Sequence, residues 1–488
     1  MPRILMIDLD DTLAKTDLLF EGLLGSLKSN PKAALLFPFW IITHGRAGAK
    51  LKLAEASPIR AESLPYRQAI LDRIQEARNS GTPVILASAS PEPWVRAVAE
   101  YLNCFDRHHA TQSQTEGNLK STRKLQLIQK EYSGLEVTYI GDAHADLVIW
   151  KNTHGAVLVN PSATLRARAA LARGTESHSP IEVIQDAPQG LQWIQTLGRA
   201  FRVHQWAKNA LIFLPWLLGH HFRDLESLVH TSLAFLAFSF VASTVYVIND
   251  LLDLESDRNH ATKRNRPFAS GALSIRVGLL SIPALLLASA ILTWALPTSW
   301  EYGTILAFYG LSNLAYSFKF KKVYVLDVVL LAGFYTLRIF AGATAAQIPV
   351  SPWLLSFAVF LFFGLALLKR FIELHRLQSR GEVKISGRGY QSTDLESVST
   401  LGIGSSLIAG LILVLYLNSP NVMMLYSNPE RLWLITPVFL YWISRIWMLA
   451  RRGELEDDPV SFAIKDSGTW WTLGAGTVIF LAALGWSF

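Results

Sequence analysis

The stretch NDLLDLESDRNHATKRNRP, Asn249 to Pro267, sets three aspartates and then four bases, three of them clustered at Lys263, Arg264 and Arg266, between two apolar runs long enough to cross a membrane. Asp250, Asp253 and Asp257 are spaced by three and four, so a helix continuing past Asn249 would carry them on one face. Like charges so placed repel unless a cation joins them, and Mg²⁺ carrying a diphosphate is a natural partner. Lys263, Arg264 and Arg266 follow within reach of phosphate oxygens. A Ca²⁺ loop fits less well, because the Gly and terminal Glu spacing of an EF-hand is missing. The bland alternative is a solvated charged loop.

A second set of chemical groups lies near the amino end. RILMIDLDDTL is an apolar run, Ile4 to Ile7, ending in Asp8, Asp10 and Thr12. TPVILASAS repeats the pattern with Val84 to Ala87 and then Ser88, and LEVTYIGDAHAD does so with Val137 to Ile140, then Asp142 and Asp146. NLKSTRKLQLI offers Lys124 at the start of a helical stretch, with Lys120 four residues earlier as an alternative. Buried parallel strands would deliver such residues to the carboxyl edge of a sheet, where open α/β folds bind ligands.

The elements that must position these groups fall into two halves. The 488 residues are 51% hydrophobic and only 17% charged, with 15 Trp, and the mean hydropathy is +0.27. The apolar excess is concentrated after Ala210, where runs of membrane-spanning length recur. Nine segments are expected: Leu211 to Phe222, Val229 to Ile248, Val277 to Leu296, Tyr302 to Tyr316, Leu326 to Ala346, Trp353 to Leu368, Thr400 to Leu417, Leu432 to Leu449 and Trp470 to Trp486. MPRILMIDLD has no signal-peptide pattern, so the soluble half is expected in the cytoplasm. Every second connection is then cytoplasmic, and those connections hold nearly all the loop Lys and Arg. The positive-inside bias accounts for the net charge of +7 without nucleic acid. The single cysteine, Cys104, excludes an intramolecular disulfide and reads as a small core residue.

The expected boundaries are 1–161 for the α/β domain, with a cap insert at about 14–82, 162–187 for a partly helical linker, and 188–488 for the membrane domain. Within the insert, KAALLFPFWIIT, Lys32 to Thr43, is too short to span. It reads either as a core helix or as an interfacial cap helix, with HGRAGAKLK supplying bases for lipid phosphates. The runs GIGSSLIAG and AGATAA suit close helix packing. His220 and His221 read as solvated loop residues, and Asp327 and Arg338 as a structural pair, snorkelling groups or substrate ligands.

The four elements of the amino-terminal half, in this order, resemble the haloacid dehalogenase-like (HAD) phosphohydrolases. That resemblance implies a Rossmannoid domain in which Asp8 is the nucleophile, Asp10 the acid and then base, and Ser88 and Lys124 the phosphoryl-holding pair. It further implies Mg²⁺ held by Asp8, the Asp10 carbonyl and Asp142, with Asp146 behind them. A degenerate scaffold is the bland alternative.

NDLLDLESDRNHATKRNRP resembles the first aspartate-rich motif of the UbiA prenyltransferase superfamily, an all-α bundle of nine transmembrane helices. Where most of that superfamily has a second such motif, this chain has LLKRFIEL, giving Lys369, Arg370 and Glu373, with Arg388 and Tyr390 downstream. Together with QWAKN, YSFKFKKVYVLD and LRIFAG, this resembles the decaprenyl-phosphate phosphoribosyltransferase branch. The resemblance implies transfer of 5-phosphoribose from phosphoribosyl diphosphate (PRPP) to a polyprenyl phosphate, toward a lipid-linked arabinose donor. Asp250, Asp253 and Asp257 would hold Mg²⁺ on the diphosphate, with Asn249 orienting them. Lys263, Arg264 and Arg266 would neutralise leaving diphosphate. Lys369 and Arg370, with Glu373 beside them, would take the lipid phosphate or the ribose 5-phosphate, and the two assignments can be exchanged.

The expected whole is a bifunctional, multi-pass enzyme of a bacterial-type plasma membrane, with Mg²⁺ in both domains and the HAD domain removing the 5-phosphate. Self-association and downstream ribose-to-arabinose epimerising enzymes are further expected partners. The rivals are an aromatic prenyltransferase with an independent or inactive HAD domain, and a non-enzymatic scaffold.

Overall fold

The computed structural model describes residues 2–113, 117–174, 179–221, 224–379, 381, 388–455 and 459–485. The chain divides into two compact units, Met1–Val203 with Tyr246–Ala284, and His204–Val245 with Leu285–Phe488.

The first unit is built on a six-stranded parallel sheet: β1 Arg3–Ile7, β2 Val84–Pro91, β3 Arg107–Thr111, β4 Glu136–Gly141, β5 Gly155–Val159 and β6 Glu182–Ile184. Their order is β3-β2-β1-β4-β5-β6, which puts β1 between β2 and β4. Side chains alternate between faces along each strand. Leu5, Ile7, Leu86 and Ile140 therefore enter one apolar layer with Trp94 and Ile70, while Ile4, Met6, Ile85 and Tyr139 enter the other with Trp150. Burial on both sides explains why the strands read as unbroken apolar runs. The three expected strands form, β2 running past its expected end to Pro91, and register aligns Ile7 with Leu86 and with Ile140, so Asp8, Ser88 and Asp142 come together at one edge, Ser88 still within β2. Strand β6 lies in the stretch read from sequence as a linker, and Ile184 pairs with Val159. Three residues are too few to display a strand period.

Two helices, Leu18–Ser29 and Pro31–Ala56, form the cap, the second broken at Gly45, whose φ is +66°. Phe37 joins the core below, while Leu35 (78% exposed) and Ile42 (83% exposed) point outward with Leu36 and Phe39. The core reading holds for one face of this helix, while the other face is an exposed apolar stripe. Cys104 packs half-buried at the margin of the same core. The tail of helix Leu225–Leu252, the short helix Leu254–Arg258 and the start of helix Ile275–Trp294 complete the unit. They bring Val247, Leu251, Phe268 and Leu273 against Leu24 and Ala200.

The second unit is helical. Across the described residues, six helices are long and apolar enough to cross a membrane: Leu225–Leu252, Ile275–Trp294, Leu326–Ala345, Pro352–Ser379, Ser392–Leu417 and Pro429–Arg451. The remaining three expected segments are different. The first is a run of tight turns, Val203–Phe213, followed by a five-residue helix, Leu214–Leu218. The fourth, Ser299–Phe318, is a 20-residue helix diluted by Glu301, Ser312 and Asn313, and the ninth, Ser467–Ala483, has 17 residues. The expected ends of the first and ninth segments, at 222 and 486, lie outside the described residues. Close packing of the small-residue run is evident at Gly402, where an added Cβ would stand 2.5 Å from the Trp447 ring. His220 is not solvated as expected: it packs edge-on against Tyr426, with centroids 4.7 Å apart, and His221 lies 3.7 Å from Asp224.

Candidate active sites

A cavity of about 490 Å³ opens at the carboxyl edge of the sheet. Asp8 ends β1, and its Oδ1 accepts from the Leu9 amide at 2.8 Å. Asp11, held at φ 53°, helps fold the tight loop Leu9–Leu13 beneath it. Lys124 Nζ stands 3.0 Å from Asp8 Oδ2 and donates to Tyr139 Oη at 2.8 Å, while Lys120 lines the same cavity. Asp10 receives the Leu18 amide at 2.8 Å, Ser88 Oγ at 2.9 Å and Ser90 Oγ at 2.7 Å. Thr12 Oγ1 donates to Asp142 at 3.1 Å. Asp146 accepts from Tyr139 Oη at 3.1 Å and from the Ala143 amide at 3.0 Å.

Carboxylate oxygens of Asp8, Asp142 and Asp146 lie within 4.8 Å of one another. Burial, reinforced by neighbouring acids, raises the Asp142 carboxyl well above its ordinary range. Burial also raises Asp8, against the pull of Lys124. For Asp10, burial with Asp17 and Asp8 nearby pushes the carboxyl up to about 6. Such crowding of buried oxygen ligands fits a hard divalent cation. The close approach of Asp146 requires glycine at 141, since a Cβ there would meet Asp146 Oδ2 at 2.6 Å.

In the aspartate-rich stretch, amide bonds from Asp253 to the Asn249 carbonyl (2.9 Å) and from Asp257 to the Asp253 carbonyl (2.8 Å) keep the chain winding past the main helix. The acids are nevertheless partitioned. Arg266 Nη1 bridges Asp250 (3.0 Å) and Asp257 (2.7 Å), and Arg202 adds a 2.6 Å contact to Asp250. Asp253 turns instead to Lys28 of the cap at 2.8 Å. Burial raises the Asp257 carboxyl, and Arg266 opposes the rise. The two buried acids thus share one guanidinium, and Lys263 and Arg264 stand exposed beside them. Asn249 lies on the last turns of the same helix as Asp250.

In the helical unit, Arg370 (1% exposed) and Asp327 (0% exposed) form a buried pair, Nε to Oδ2 at 2.8 Å. Glu373 pairs with the same guanidinium, and Tyr390 Oη donates to Asp327 Oδ1 at 2.8 Å. Arg388 donates to Tyr316 Oη at 2.8 Å, and its Nη1 lies 3.8 Å from Asp327. Lys369 precedes Arg370 on the helix Pro352–Ser379. Asp327 therefore pairs across helices with Arg370, and the eleven residues, about three turns, between Asp327 and Arg338 keep those two from meeting along their own helix, as their spacing implies. Arg338 donates to Asn209 at 2.8 Å and to Tyr309 at 3.1 Å, and its guanidinium lies over the Phe238 ring.

Several of these groups escaped the sequence reading. Ser90 was visible two residues after Ser88 in the same strand. Tyr139 and Arg67 carried no signal: the first lies inside an apolar run, and the second is a remote arginine whose Nε donates to the Thr12 carbonyl at 2.9 Å. Arg202 and Arg276 were equally silent, because only the fold brings them to the acids.

Comparison with known proteins agrees with this two-part architecture. The UbiA prenyltransferase family model matches residues 210–486, and that of haloacid dehalogenase-like hydrolases matches residues 5–149. The chain belongs to the UbiA prenyltransferase family and carries a HAD-like domain at its amino end. It is an integral membrane protein. It is 37% identical to the uncharacterized protein y4nM of Sinorhizobium fredii over 96% of this chain and 88% of that one. It is 35% identical to the nodulation protein NoeC of Azorhizobium caulinodans over 56% of this chain and 88% of that one. It is 29% identical to the decaprenyl-phosphate phosphoribosyltransferase of Mycolicibacterium smegmatis over 56% and 87%.

Proposed function

We propose that the protein is a bifunctional membrane enzyme that transfers 5-phosphoribose from PRPP to a polyprenyl phosphate and then removes the 5-phosphate from the product, toward a lipid-linked arabinose donor. The observation that carries this reading is the Asp8, Asp10, Lys124 and Asp142 constellation in one chain with a UbiA domain similar to an enzyme named decaprenyl-phosphate phosphoribosyltransferase. The functional division proposed is a hydrolase at 1–161, a connecting stretch at 162–187 that also adds β6 to the hydrolase sheet, and a nine-segment transferase at 188–488, with the hydrolase and the aspartate-rich loop on the cytoplasmic side.

In the transferase, Asp250, Asp253 and Asp257, oriented by Asn249, would hold Mg²⁺, which supplies charge neutralisation for the PRPP diphosphate when bound. Lys263, Arg264 and Arg266 neutralise the departing diphosphate. Lys369 and Arg370 receive a substrate phosphate, with the Arg370 guanidinium held by Asp327 and Glu373. A lipid phosphate is already a nucleophile, so alignment and charge stabilisation carry the rate without a general base.

In the hydrolase, a carboxylate oxygen of Asp8 attacks phosphorus as the bond to ribose O5 breaks, and Asp10 delivers its proton to that oxygen. Asp10 then takes a proton from the water that cleaves the aspartyl phosphate. Ser88 and Lys124 hold the phosphoryl oxygens. Asp8, the Asp10 carbonyl and Asp142, supported by Asp146, would hold Mg²⁺, which supplies charge neutralisation when bound.

Purified full-length protein with PRPP, Mg²⁺ and a polyprenyl phosphate tests both halves. Asp250→Asn should abolish diphosphate release, and Asp8→Asn should leave release intact while the 5-phosphorylated lipid accumulates. Unchanged dephosphorylation in Asp8→Asn would sink the two-step reading.

A further inference from the structure

Six aspartates line the hydrolase cavity, and with them stand five cations, Arg46, Lys50, Lys120, Lys124 and Arg276, more than a single phosphomonoester at Asp8 would engage. Lys124 already serves the phosphoryl group at Asp8. Arg46 and Lys50 of the cap and Arg276 also line the cavity. Arg46 and Lys50 form no ion pair with any described residue. Arg276 is anchored by Asp17 and lies 3.3 Å from Asp11, yet its side chain remains 53% exposed, with its guanidinium over the Phe20 ring. It is also the second residue of Ile275–Trp294, one of the helices long and apolar enough to enter a bilayer. The cavity is thus attached to the mouth of a membrane helix. Its wall adds Phe37 and Ile41 from the cap helix, the outer face of which exposes Leu35, Phe39 and Ile42.

We propose that Arg276, Arg46 and Lys50 form a second anion subsite in this cavity, which binds the phosphodiester of a lipid-linked sugar phosphate while its phosphomonoester lies at Asp8. Phe37 and Ile41 contact the first apolar carbons beyond that diester. The chemistry favours this assignment: forked and point cations recognise phosphate oxygens, and an amphiphile at the bilayer surface presents its anion next to its apolar chain. A free sugar monophosphate would use neither the three cations nor the apolar wall. The inference rests on the two-step reading above and specifies how its second step selects substrate.

The test compares three substrates in full-length protein: ribose 5-phosphate, the methyl phosphodiester of 5-phosphoribose, and the polyprenyl phosphodiester. Arg276→Ala, Arg46→Ala and Lys50→Ala should each raise KM at least ten-fold for both diesters. Turnover of ribose 5-phosphate should stay within two-fold, and Arg276→Lys should recover part of the loss. Phe37→Leu and Ile41→Ala should impair only the polyprenyl substrate. Equal losses on all three substrates would assign Arg276 to structure alone, and unchanged KM for the diesters would remove the subsite; either result overturns the proposal. Asp8→Asn keeps the two questions apart. If Asp8-dependent dephosphorylation of the lipid persists while the cation variants behave as wild type, the subsite falls and the two-step reading stands. If Asp8→Asn leaves that dephosphorylation unchanged, the two-step reading falls first.

Discussion

Asp327→Ala should be among the most destabilising single changes in the helical unit. It strips the Arg370 guanidinium of a 2.8 Å partner in a place where Arg370 is 1% exposed, and it removes the acceptor of the Tyr390 hydroxyl. Breaking a buried ion pair from one side costs about 3–5 kcal/mol, and Glu373, itself partly exposed, only partly compensates the Arg370 charge left behind. For a cooperative unit of a few hundred residues, roughly 2–4 °C per kcal/mol, this is a fall in melting temperature of roughly 6–20 °C. Arg370→Met should cost at least as much, since it leaves the fully buried Asp327 carboxylate with the Tyr390 hydroxyl and Arg388 at 3.8 Å, whereas Asp327→Ala leaves Arg370 paired with Glu373. The double variant Asp327→Ala/Arg370→Met removes both charges and should recover most of the loss, as replacing a buried pair with apolar groups is often close to neutral. Thermal unfolding in detergent, followed by intrinsic Trp fluorescence, measures all four proteins. Transferase activity of the double variant then separates stability from phosphate binding. It should be stable but inactive if Arg370 receives a substrate phosphate. A double variant no more stable than Asp327→Ala would refute the burial argument.

Further consequences can be checked directly. Because burial and neighbouring acids push Asp10 up to about 6, its protonated fraction falls as pH rises through that value. Hydrolysis of an alkyl phosphate, whose leaving oxygen needs a proton, should therefore decline above about pH 6, while that of p-nitrophenyl phosphate should not. Asp10→Ala should slow the alkyl substrate by about 10²–10⁴-fold and the nitrophenyl substrate far less; equal loss on both would remove Asp10 as the acid. Glu21→Ala should loosen the aspartate-rich stretch from the cap, because Arg258 donates to Glu21 at 2.6 Å and 3.2 Å with both side chains largely buried. Faster hydrogen exchange across residues 254–273 is the expected readout, and unchanged exchange there would show that the pair does not hold the stretch.

The legible part of this molecule is the part written locally. A strand buried on both faces appears as an apolar run, and its carboxyl end marks the next polar residue, so Asp8, Ser88 and Asp142 could be placed at one edge before any coordinates. The long apolar helices were legible for the same reason. Short elements were not: β6 has only three residues. Pairings over long sequence distance also left no trace. Nothing in YVLD announces that Asp327 selects Arg370, 43 residues away, rather than Arg338 on its own helix. Spacing predicted that three aspartates would share a helical face, but it could not reveal that Arg266 and Arg202 hold Asp250 while Lys28 draws Asp253 aside.

That last division bears on why the two domains share a chain. The hydrolase is not merely tethered to the aspartate-rich stretch; Lys28 to Asp253, Glu21 to Arg258 and Arg60 to Glu255 tie its cap to those very residues. The exposed pairs, Lys28 and Arg60, contribute little stability each, about 0–1 kcal/mol, and yield readily to a stronger partner. The enclosed Glu21 pair is the durable one, because breaking it leaves a charge with little access to water. A weak contact on a metal-binding candidate beside a strong anchor lets Asp253 exchange Lys28 for another cation without the cap leaving its seat. Covalent attachment alone would raise the local concentration of hydrolase. The anchored cap does more: it fixes one wall of the hydrolase cavity against the stretch where the phosphorylated product is proposed to form.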